Sequence, residues 1–134
     1  MIYGLDSDII SYMLKDNKDV LQKFGKLIDE DNFYCIPPDV YYEVKRGLTE
    51  KKANKKLQEF YALYSDSIQK EMTTEMWEKA VDIWVRLKSM GRLIGDGDIF
   101  IAAFCIINGY TLITNNIKHY ENITELKIIN IADQ

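Results

Sequence analysis

The chain begins with a short apolar run, Ile2 to Leu5, that stops at two carboxylates, Asp6 and Asp8. The run predicts a buried strand, and a strand that ends in an aspartate carries that carboxylate to the carboxyl edge of a sheet. Open α/β sheets bind their ligands at this edge. Either aspartate could instead cap the helix that the next segment, IISYML, predicts. The choice depends on whether other acids meet Asp6 at the same edge.

The composition limits the class of protein. Of the 134 residues, 47% are hydrophobic and 28% are charged, which suits one globular domain over residues 1–134. No apolar window approaches the roughly 20 residues needed to cross a bilayer, and we expect a cytoplasmic protein without a signal peptide. The net charge of -4 argues against nucleic-acid binding through bulk positive charge, although acids around a metal ion could still accept a phosphate. Cys35 and Cys105 lie in apolar runs and are expected to be buried thiols.

The first third of the chain predicts a strand, two helices and a second strand. One helix is expected from Ile9 to Leu14, and another from apolar residues at helical spacing between Val20 and Ile28. The run from Phe33 to Ile36 predicts the second strand, which Pro37 and Pro38 end because proline cannot donate to a central ladder. A crossover of this length allows the two strands to be parallel.

The middle of the chain predicts two amphipathic helices. Asp39 is expected to be the N-cap of a helix that continues to Ser65. Thr73 or Thr74 should cap the next helix, and Gly91 should end it. We expect the second half of the first helix and the second helix to pack as an antiparallel pair.

The last third completes the predicted sheet. Asp96 and Asp98 lie in a glycine-rich turn, and the apolar segment after them predicts a buried helix that Gly109 ends. Tyr110 to Ile113 predicts a strand, and ELKIINI predicts a short edge strand. The order of elements is that of an α/β fold in three layers, with helices flanking a mostly parallel sheet of four or five strands.

Polar residues follow the predicted strands in a pattern that suggests a site. At one edge of a parallel sheet this order places Asp6, Glu43, Asp98 and Asn116. Carboxylates that converge without nearby cations raise one another's pKa values unless a hard cation lies among them. Asp6, Glu43 and Asp98 are therefore predicted to hold Mg²⁺ or Mn²⁺, which would lower the pKa of a water that attacks a phosphodiester. His119, in a polar loop, is expected to be a surface residue rather than a base.

Each acid also has a structural explanation of its own. Asp98 could favour a helix N-terminus, and Asp96 could be a turn residue. Glu43 could pair with Lys45 or Arg46. Together these explanations account for acids at one sheet edge less well than a metal site does.

Four segments resemble those of a known family. LDSDIISYML, YYEVKRGL, DGDIFIAAF and LITNN resemble, in order, the motifs of PIN-domain ribonucleases, and most closely the toxin of VapBC-type toxin-antitoxin modules. The resemblance covers nearly the whole chain and implies that Asp6, Glu43 and Asp98 are the family's metal-binding acids, with Ser7 beside the first. It also implies cleavage of single-stranded RNA, often transfer or ribosomal RNA, inhibition of translation, and a small antitoxin that blocks the site.

Two positions depart from the family's pattern. Asp8 stands where the family usually has asparagine, and Asn116 stands where many members have a fourth acid. Asp8 or Asp96 could supply a substitute carboxylate. We therefore expect the following supporting residues: Ser7, Asp8, Asp96, Thr114 and Asn116.

Two groups of residues could form contact surfaces. A path for RNA phosphates, or simply a solvated helix face, could be formed by Lys45, Arg46, Lys51, Lys52, Lys55 and Lys56, with Arg92 near the acidic turn. An antitoxin groove, a homodimer surface or part of the core could be formed by Tyr41, Tyr42, Phe60, Tyr61 and Tyr64.

Two other functions remain open at this point. LDSD and LITNN also resemble the first motifs of haloacid-dehalogenase-like phosphatases, in which Asp6 would be a covalent nucleophile and Asp8 a general acid. That family needs further motifs after Thr114, and only twenty residues follow it. The other alternative is a PIN-like binding module without catalysis, against which the intact Asp6, Glu43 and Asp98 argue.

Overall fold

The computed structural model describes residues 1–29 and 31–132, and its centre is a four-stranded sheet. The strands are β1 (Ile2–Leu5), β2 (Phe33–Cys35), β3 (Thr111–Ile113) and β4 (Ile128–Ile129). They lie in the order β2-β1-β3-β4, and each neighbouring pair is parallel. The predicted α/β fold is confirmed. The winding of the chain reverses between β1 and β3, at the kind of switch point where α/β sheets bind ligands.

Helices cover both faces of this sheet. They are α1 (Ser7–Leu14), α2 (Lys18–Leu27), α3 (Pro38–Glu50), α4 (Asn54–Ser65), α5 (Thr74–Ser89), α6 (Asp96–Asn108) and α7 (Ile117–Tyr120). Side chains alternate between the faces of a strand, and Tyr3, Gly4 and Leu5 of β1 are all buried. Among the described residues, none of the helices is long and apolar enough to cross a bilayer. The predicted domain of residues 1–134 includes Glu30, Asp133 and Gln134, which lie outside the described residues.

The start of α3 differs from the prediction. The N-cap is Pro37 rather than Asp39, and no side chain caps the helix. Proline suits the first turn of a helix because its φ is preset and the N–H that it lacks would have no partner there. Two prolines therefore start α3 without a side-chain cap, and the Asp39 carboxylate is not used for capping.

The predicted long helix from Asp39 to Ser65 is also wrong, because it is two helices. α3 ends at Glu50, and Lys52 has a left-handed backbone with φ of 54°. The N–H of Lys51 donates to the carbonyl of Gly47 and the N–H of Lys52 donates to that of Thr49, which closes the end of α3. The chain then turns and α4 begins.

The amphipathic helix α5 packs chiefly against α6, and α4 packs against α3. The rings of Trp77 on α5 and Phe100 on α6 meet edge-on with centroids 5.0 Å apart. On the other side, the Tyr41 and Tyr64 rings join α3 to α4 with centroids 4.5 Å apart. The predicted antiparallel pair of α4 and α5 is therefore wrong, since the apolar face of each helix has a different partner. The predicted cap of α5 is confirmed, because Thr73 accepts from the N–H of Met76.

Close packing of α6 on β1 positions the acids. A Cβ atom on Gly4 would lie only 2.6 Å from Sγ of Cys105, so only glycine fits between this strand and this helix. Cys105 and Cys35 are buried free thiols, as predicted. Gly109 ends α6 in the left-handed region, with φ of 72°. The result is that the first turn of α6 lies near the end of β1.

Candidate active site

Asp6 is buried at the carboxyl edge of the sheet, with 3% of the residue exposed. Its Oδ2 accepts hydrogen bonds from Thr114 Oγ1 at 2.8 Å and from the Tyr120 hydroxyl at 3.0 Å. Its Oδ1 accepts from the backbone N–H of Ser7 at 2.8 Å, so Asp6 is also the N-cap of α1. Burial raises the pKa of Asp6, the three hydrogen bonds oppose that rise, and the charge of Asp98 adds to it. Asp6 is thus both a helix cap and an acid of a buried cluster.

Tyr120 joins Asp6 to Asp98. Its hydroxyl oxygen lies 3.0 Å from Oδ2 of Asp6 and 3.2 Å from Oδ1 of Asp98. The residue is 1% exposed, and burial followed by the two acids raises the pKa of its hydroxyl. The phenol therefore stays protonated, and its single proton serves two carboxylates. This contact brings Asp6 and Asp98 together, as the strand order predicted.

Asp98 receives a second contact from α7. Its Oδ2 lies 2.9 Å from Nδ1 of His119, whose side chain is 51% exposed. The sequence predicted a surface histidine in a polar loop; the residue is exposed, but it lies in the short helix α7 and contacts an acid. Among the ion pairs of residues 1–29 and 31–132, none brings a lysine or arginine to Asp6, Asp8 or Asp98. Within the described residues, no ion pair with lysine or arginine therefore neutralises these acids.

Asp39 lies beside these acids in the first turn of α3. A Cβ atom on Gly97 would lie 3.8 Å from its Oδ2, so its carboxylate faces the first turn of α6. Its Oδ1 is buried and has no hydrogen-bond partner within the described part of the chain. Burial raises the pKa of Asp39 to about 7, and the charges of Glu43 and Asp6 contribute to that rise. We call Asp6, Asp39, Asp98 and Tyr120 the acid pocket.

Asp8 binds the segment after β3. Its Oδ2 accepts from the backbone N–H of Asn115 at 2.9 Å, and its Oδ1 accepts from Ile9 at 2.7 Å. Burial, and then the charge of Asp6, raises the pKa of Asp8 to about 6. The two aspartates of the first motif therefore have different partners.

The remaining predicted residues lie around the acid pocket. Glu43 is exposed on α3, and no hydrogen bond or ion pair of the described residues joins it to Asp6 or Asp98. Thr114 is buried and contacts Asp6 directly, whereas Asn116 is exposed and donates its backbone N–H to Thr114 Oγ1 at 2.9 Å. Asp96 is exposed and lines an apolar hollow next to tryptophans of α5. The structure brings Asp6, Asp98 and Thr114 together and leaves Glu43 at the periphery.

Sequence reasoning missed four residues of this region: Asp39, Asn115, His119 and Tyr120. Asp39 carried a usable signal, because it follows a predicted strand as Asp6 does, but its position before a helix favoured a cap. The α7 segment is too short for a helical period, and nothing in it indicated that Tyr120 would be buried.

The donors in the acid pocket suit a hard divalent cation. They are carboxylate and hydroxyl oxygens, the ligand type that Mg²⁺ prefers, and one of them, Asp39 Oδ1, is buried without a partner. Within residues 1–29 and 31–132 no three His, Cys, Asp or Glu side chains form a group that could hold a metal ion. Mg²⁺ in proteins often takes only one or two carboxylates, with waters and substrate phosphates as its other ligands. Asp6 and Asp98, which share one hydroxyl, meet that smaller requirement.

The fold and the site together define an α/β domain with an acidic site at the switch point of a parallel sheet. The family model of the PIN domain matches residues 3–124, and the chain belongs to this family. The resemblance inferred from the four sequence motifs is confirmed.

Two curated relatives match along almost their whole length. Ribonuclease VapC2 of Rickettsia felis is 26% identical over 131 residues, which are 97% of this chain and 98% of the relative. Ribonuclease VapC1 of Haemophilus influenzae strain R2866 is 27% identical over 129 residues, which are 95% of this chain and 96% of the relative. The chain is therefore similar in extent to these ribonucleases.

Solved structures show the same architecture. The crystal structure of VapBC2 from Rickettsia felis bound to a DNA fragment from their promoter contains a chain with a TM-score of 0.88 and 26% identity, covering 97% of this chain and 98% of that chain. The structure of VapBC-1 from nontypeable Haemophilus influenzae has a TM-score of 0.86 at 24% identity, covers 99% and 100% of the two chains, and shows likeness of fold.

Proposed function

We propose that this chain is a metal-dependent endoribonuclease and the toxin of a type II toxin-antitoxin module. The observation that carries the proposal is the meeting of Asp6 and Asp98 at one buried tyrosine hydroxyl, at the switch point of a PIN-domain sheet. Relatives that match almost end to end are named ribonucleases, which supports this activity.

The proposed catalytic acids are Asp6, Asp98 and Glu43. Asp6 and Asp98 would hold Mg²⁺ or Mn²⁺, and Glu43 stands at the exposed side of the pocket, where substrate enters. When bound, the ion lowers the pKa of a water and stabilises negative charge on the phosphodiester. No nucleophilic side chain is needed for this reaction.

The surrounding residues hold the acids in place. Thr114 and the N–H of Ser7 each donate to one oxygen of Asp6, which fixes the orientation of its carboxylate. Tyr120 sets the spacing between Asp6 and Asp98. Asp8 holds Asn115, and Asn116 supports Thr114 through its N–H, so both supporting residues act on the segment that follows β3.

The proposal also covers the partners. We infer a single-stranded region of transfer or ribosomal RNA as the substrate, and a small antitoxin that blocks the site. The solved structures of similar fold are of VapBC complexes, which supports an antitoxin partner. A homodimer, cytoplasmic action and one functional domain over residues 1–134 belong to the same proposal.

The phosphatase alternative finds no support in the site. Asp8, which would be the general acid, uses both of its carboxylate oxygens to accept backbone N–H groups, from Ile9 and Asn115. A nucleophile and its general acid need to face the same substrate atom. The binding module without catalysis is the alternative that experiment has to separate.

The test is cleavage of RNA by the purified chain. We expect cleavage of transfer RNA, ribosomal RNA or a single-stranded oligoribonucleotide with Mg²⁺ or Mn²⁺, none with a chelator, and none with Asp6→Asn. Expression of the parent should stop growth, and expression of the variant should not. The binding module would be established instead by a folded chain that shows no Mn²⁺ binding in calorimetry and cuts no RNA in the presence of Mn²⁺.

A further inference from the structure

A cleft of about 370 Å³ opens beside the acid pocket, between α1, α3 and the turn that leads to α4. Asp8 and Glu43 lie along its wall, together with three lysines, Lys15, Lys51 and Lys56. We call Lys15, Lys51 and Lys56, with the wall that carries them, the lysine cleft. The cleft joins Asp8 and Glu43 to a group of positive charges.

The fold places these lysines without using their side chains. Lys15 and Lys51 are the C-cap residues of α1 and α3, and in both cases the backbone N–H makes the capping hydrogen bonds. The left-handed Lys52 turns the chain so that Lys56, in the first turn of α4, lines the same cleft. The ion pairs found in residues 1–29 and 31–132 use Lys23, Lys79, Arg86 and His119, and none of the three cleft lysines. Their ammonium groups are exposed.

The structure also separates these lysines from the other basic residues of the predicted phosphate path. Lys45 lies over the rings of Tyr41 and Tyr61, 5.5 Å from each centroid. Arg46 lies over the Tyr42 ring at 5.1 Å. Lys52 and Lys55 do not line the cleft, whereas Lys15, which the sequence did not suggest, does. Position in the cleft, rather than membership of the lysine-rich segment, distinguishes the three.

Electrostatics favour such a group beside a site for an anionic substrate. The chain has a net charge of -4, and the acid pocket has no basic neighbour other than His119 among the described ion pairs. A metal ion in the pocket would attract the phosphate at the bond that is cut, and basic side chains nearby would attract the phosphates that flank it along the strand. Lysine suits this task because it attracts phosphate as a point charge without demanding a fixed geometry.

We propose that Lys15, Lys51 and Lys56 bind phosphates of the single-stranded RNA on one side of the bond that is cut. This inference rests on the proposed function and names the path of its substrate. Ser7, Asp8 and Glu43 line the same cleft as the three lysines, so a strand that runs from the acids along the cleft passes the lysines. Lys15, Lys51 and Lys56 are thus residues that bind the substrate of the cleavage reaction.

The test compares two triple variants that carry the same net charge. One is Lys15→Gln/Lys51→Gln/Lys56→Gln, and its control is Lys18→Gln/Lys52→Gln/Lys55→Gln, at exposed lysines of neighbouring positions outside the cleft. Each is made in the parent and in Asp98→Asn, which keeps the RNA intact during binding. Fluorescence anisotropy of a labelled oligoribonucleotide of mixed sequence is followed against salt concentration, and thermal melting verifies that each variant is folded.

The cleft variant should bind the oligonucleotide roughly tenfold to a hundredfold more weakly at low salt, and its slope of log K against log salt should be shallower by about 2, since each lost contact removes about 0.7. The control should keep the parental slope. Equal losses in both variants would mean that only net charge matters, and an unchanged slope in the cleft variant would mean that the lysines only favour the helix ends; either overturns the inference. A parent that binds RNA with the expected slopes but never cuts it contradicts the proposed function instead.

Discussion

The acid pocket and the lysine cleft adjoin each other, but they are built in opposite ways. Asp6 is 3% exposed, and three hydrogen bonds fix its carboxylate. The lysines of the cleft are exposed, and the fold uses the backbone of Lys15 and Lys51 rather than their side chains. Asp6, which is proposed to hold the metal, is fixed by burial and hydrogen bonds, whereas the lysines proposed to bind RNA are exposed. A change of one atom in the pocket should therefore alter the rate of cleavage, whereas changes in the cleft should alter affinity by degrees.

The largest expected effect is a loss of kcat in Asp98→Asn that Lys51→Gln does not share. Asp98→Asn should lower kcat by more than about a hundredfold, beyond the usual loss for residues that merely support a metal ligand, and should change RNA affinity by only a few-fold. Lys51→Gln should raise Kd and keep kcat. Single-turnover cleavage measures the rate, and anisotropy measures the affinity for RNA. If both variants lost rate and affinity in the same proportion, the division between the pocket and the cleft would be contradicted.

A smaller loss is expected for Tyr120→Phe, because it removes the hydroxyl shared by Asp6 and Asp98. We expect kcat to fall roughly 10- to 100-fold and the free energy of unfolding to fall by about 1–3 kcal/mol, since a buried carboxylate oxygen loses a donor. The matched control is Tyr110→Phe, whose hydroxyl is buried without a partner in the described structure. Its loss should leave stability and cleavage unchanged; a similar loss from both variants would show that the hydroxyl of Tyr120 has no special role.

Alanine substitutions at two glycines test how tightly the residues under the pocket and in the wall of the cleft are packed. Gly4→Ala puts a methyl group against Sγ of Cys105 and should cost about 1–3 kcal/mol in urea denaturation. Gly47→Ala, in the wall of the cleft, meets nothing within 4 Å and should stabilise α3 by about 0.5–1 kcal/mol. Adding Cys105→Ala should reduce the cost of Gly4→Ala. If it does not, the tight contact is not the cause.

The smallest effect concerns pH. Burial raises the pKa of Asp39 from 3.8 to about 7, so between these values the folded state holds a proton that the unfolded state has released. The contribution of Asp39 to stability is therefore present at low pH and is lost as the pH rises through about 7. With a chelator present, Asp39→Asn should be more stable than the parent by on the order of 1 kcal/mol at about pH 8, and equally stable near pH 4.

The matched control for this pH experiment is Glu50→Gln, which changes an exposed acid on the same helix. It should keep the pH dependence of the parent. If Asp39→Asn also keeps it, Asp39 is not protonated by folding. Burial also raises the pKa of Asp8, to about 6. Asp8 should therefore account for the pH dependence of stability that is left in Asp39→Asn.

The sequence was informative where a single local rule decides the outcome. Parallel strands place their carboxyl ends at one edge, so Asp6 and Asp98 could be brought together from the order of elements alone. The Thr73 cap and the Gly109 terminus follow from side chains that suit only a few backbone geometries. These features need no knowledge of what packs against them.

The rest depends on tertiary contacts that local patterns do not contain. Lys52 adopts a left-handed backbone that glycine or asparagine would have signalled, so the break between α3 and α4 was invisible. Asp39 had the sequence context of a cap, and only the approach of Gly97 shows that it faces α6. Tyr120 becomes a partner of Asp6 because α7 folds back over the sheet edge, which no period of the sequence predicts.

The contacts of Asp6 also set when the pocket can exist. Its partners Thr114 and Tyr120 lie 108 and 114 residues further along the chain. A chain is synthesised from its N-terminus at about 5–20 residues per second, so the first carboxylate waits several seconds for the groups that orient it. A ribosome that makes this protein therefore carries an incomplete pocket until Thr114 and Tyr120 have emerged, and the arrangement proposed to cut RNA can assemble only after that.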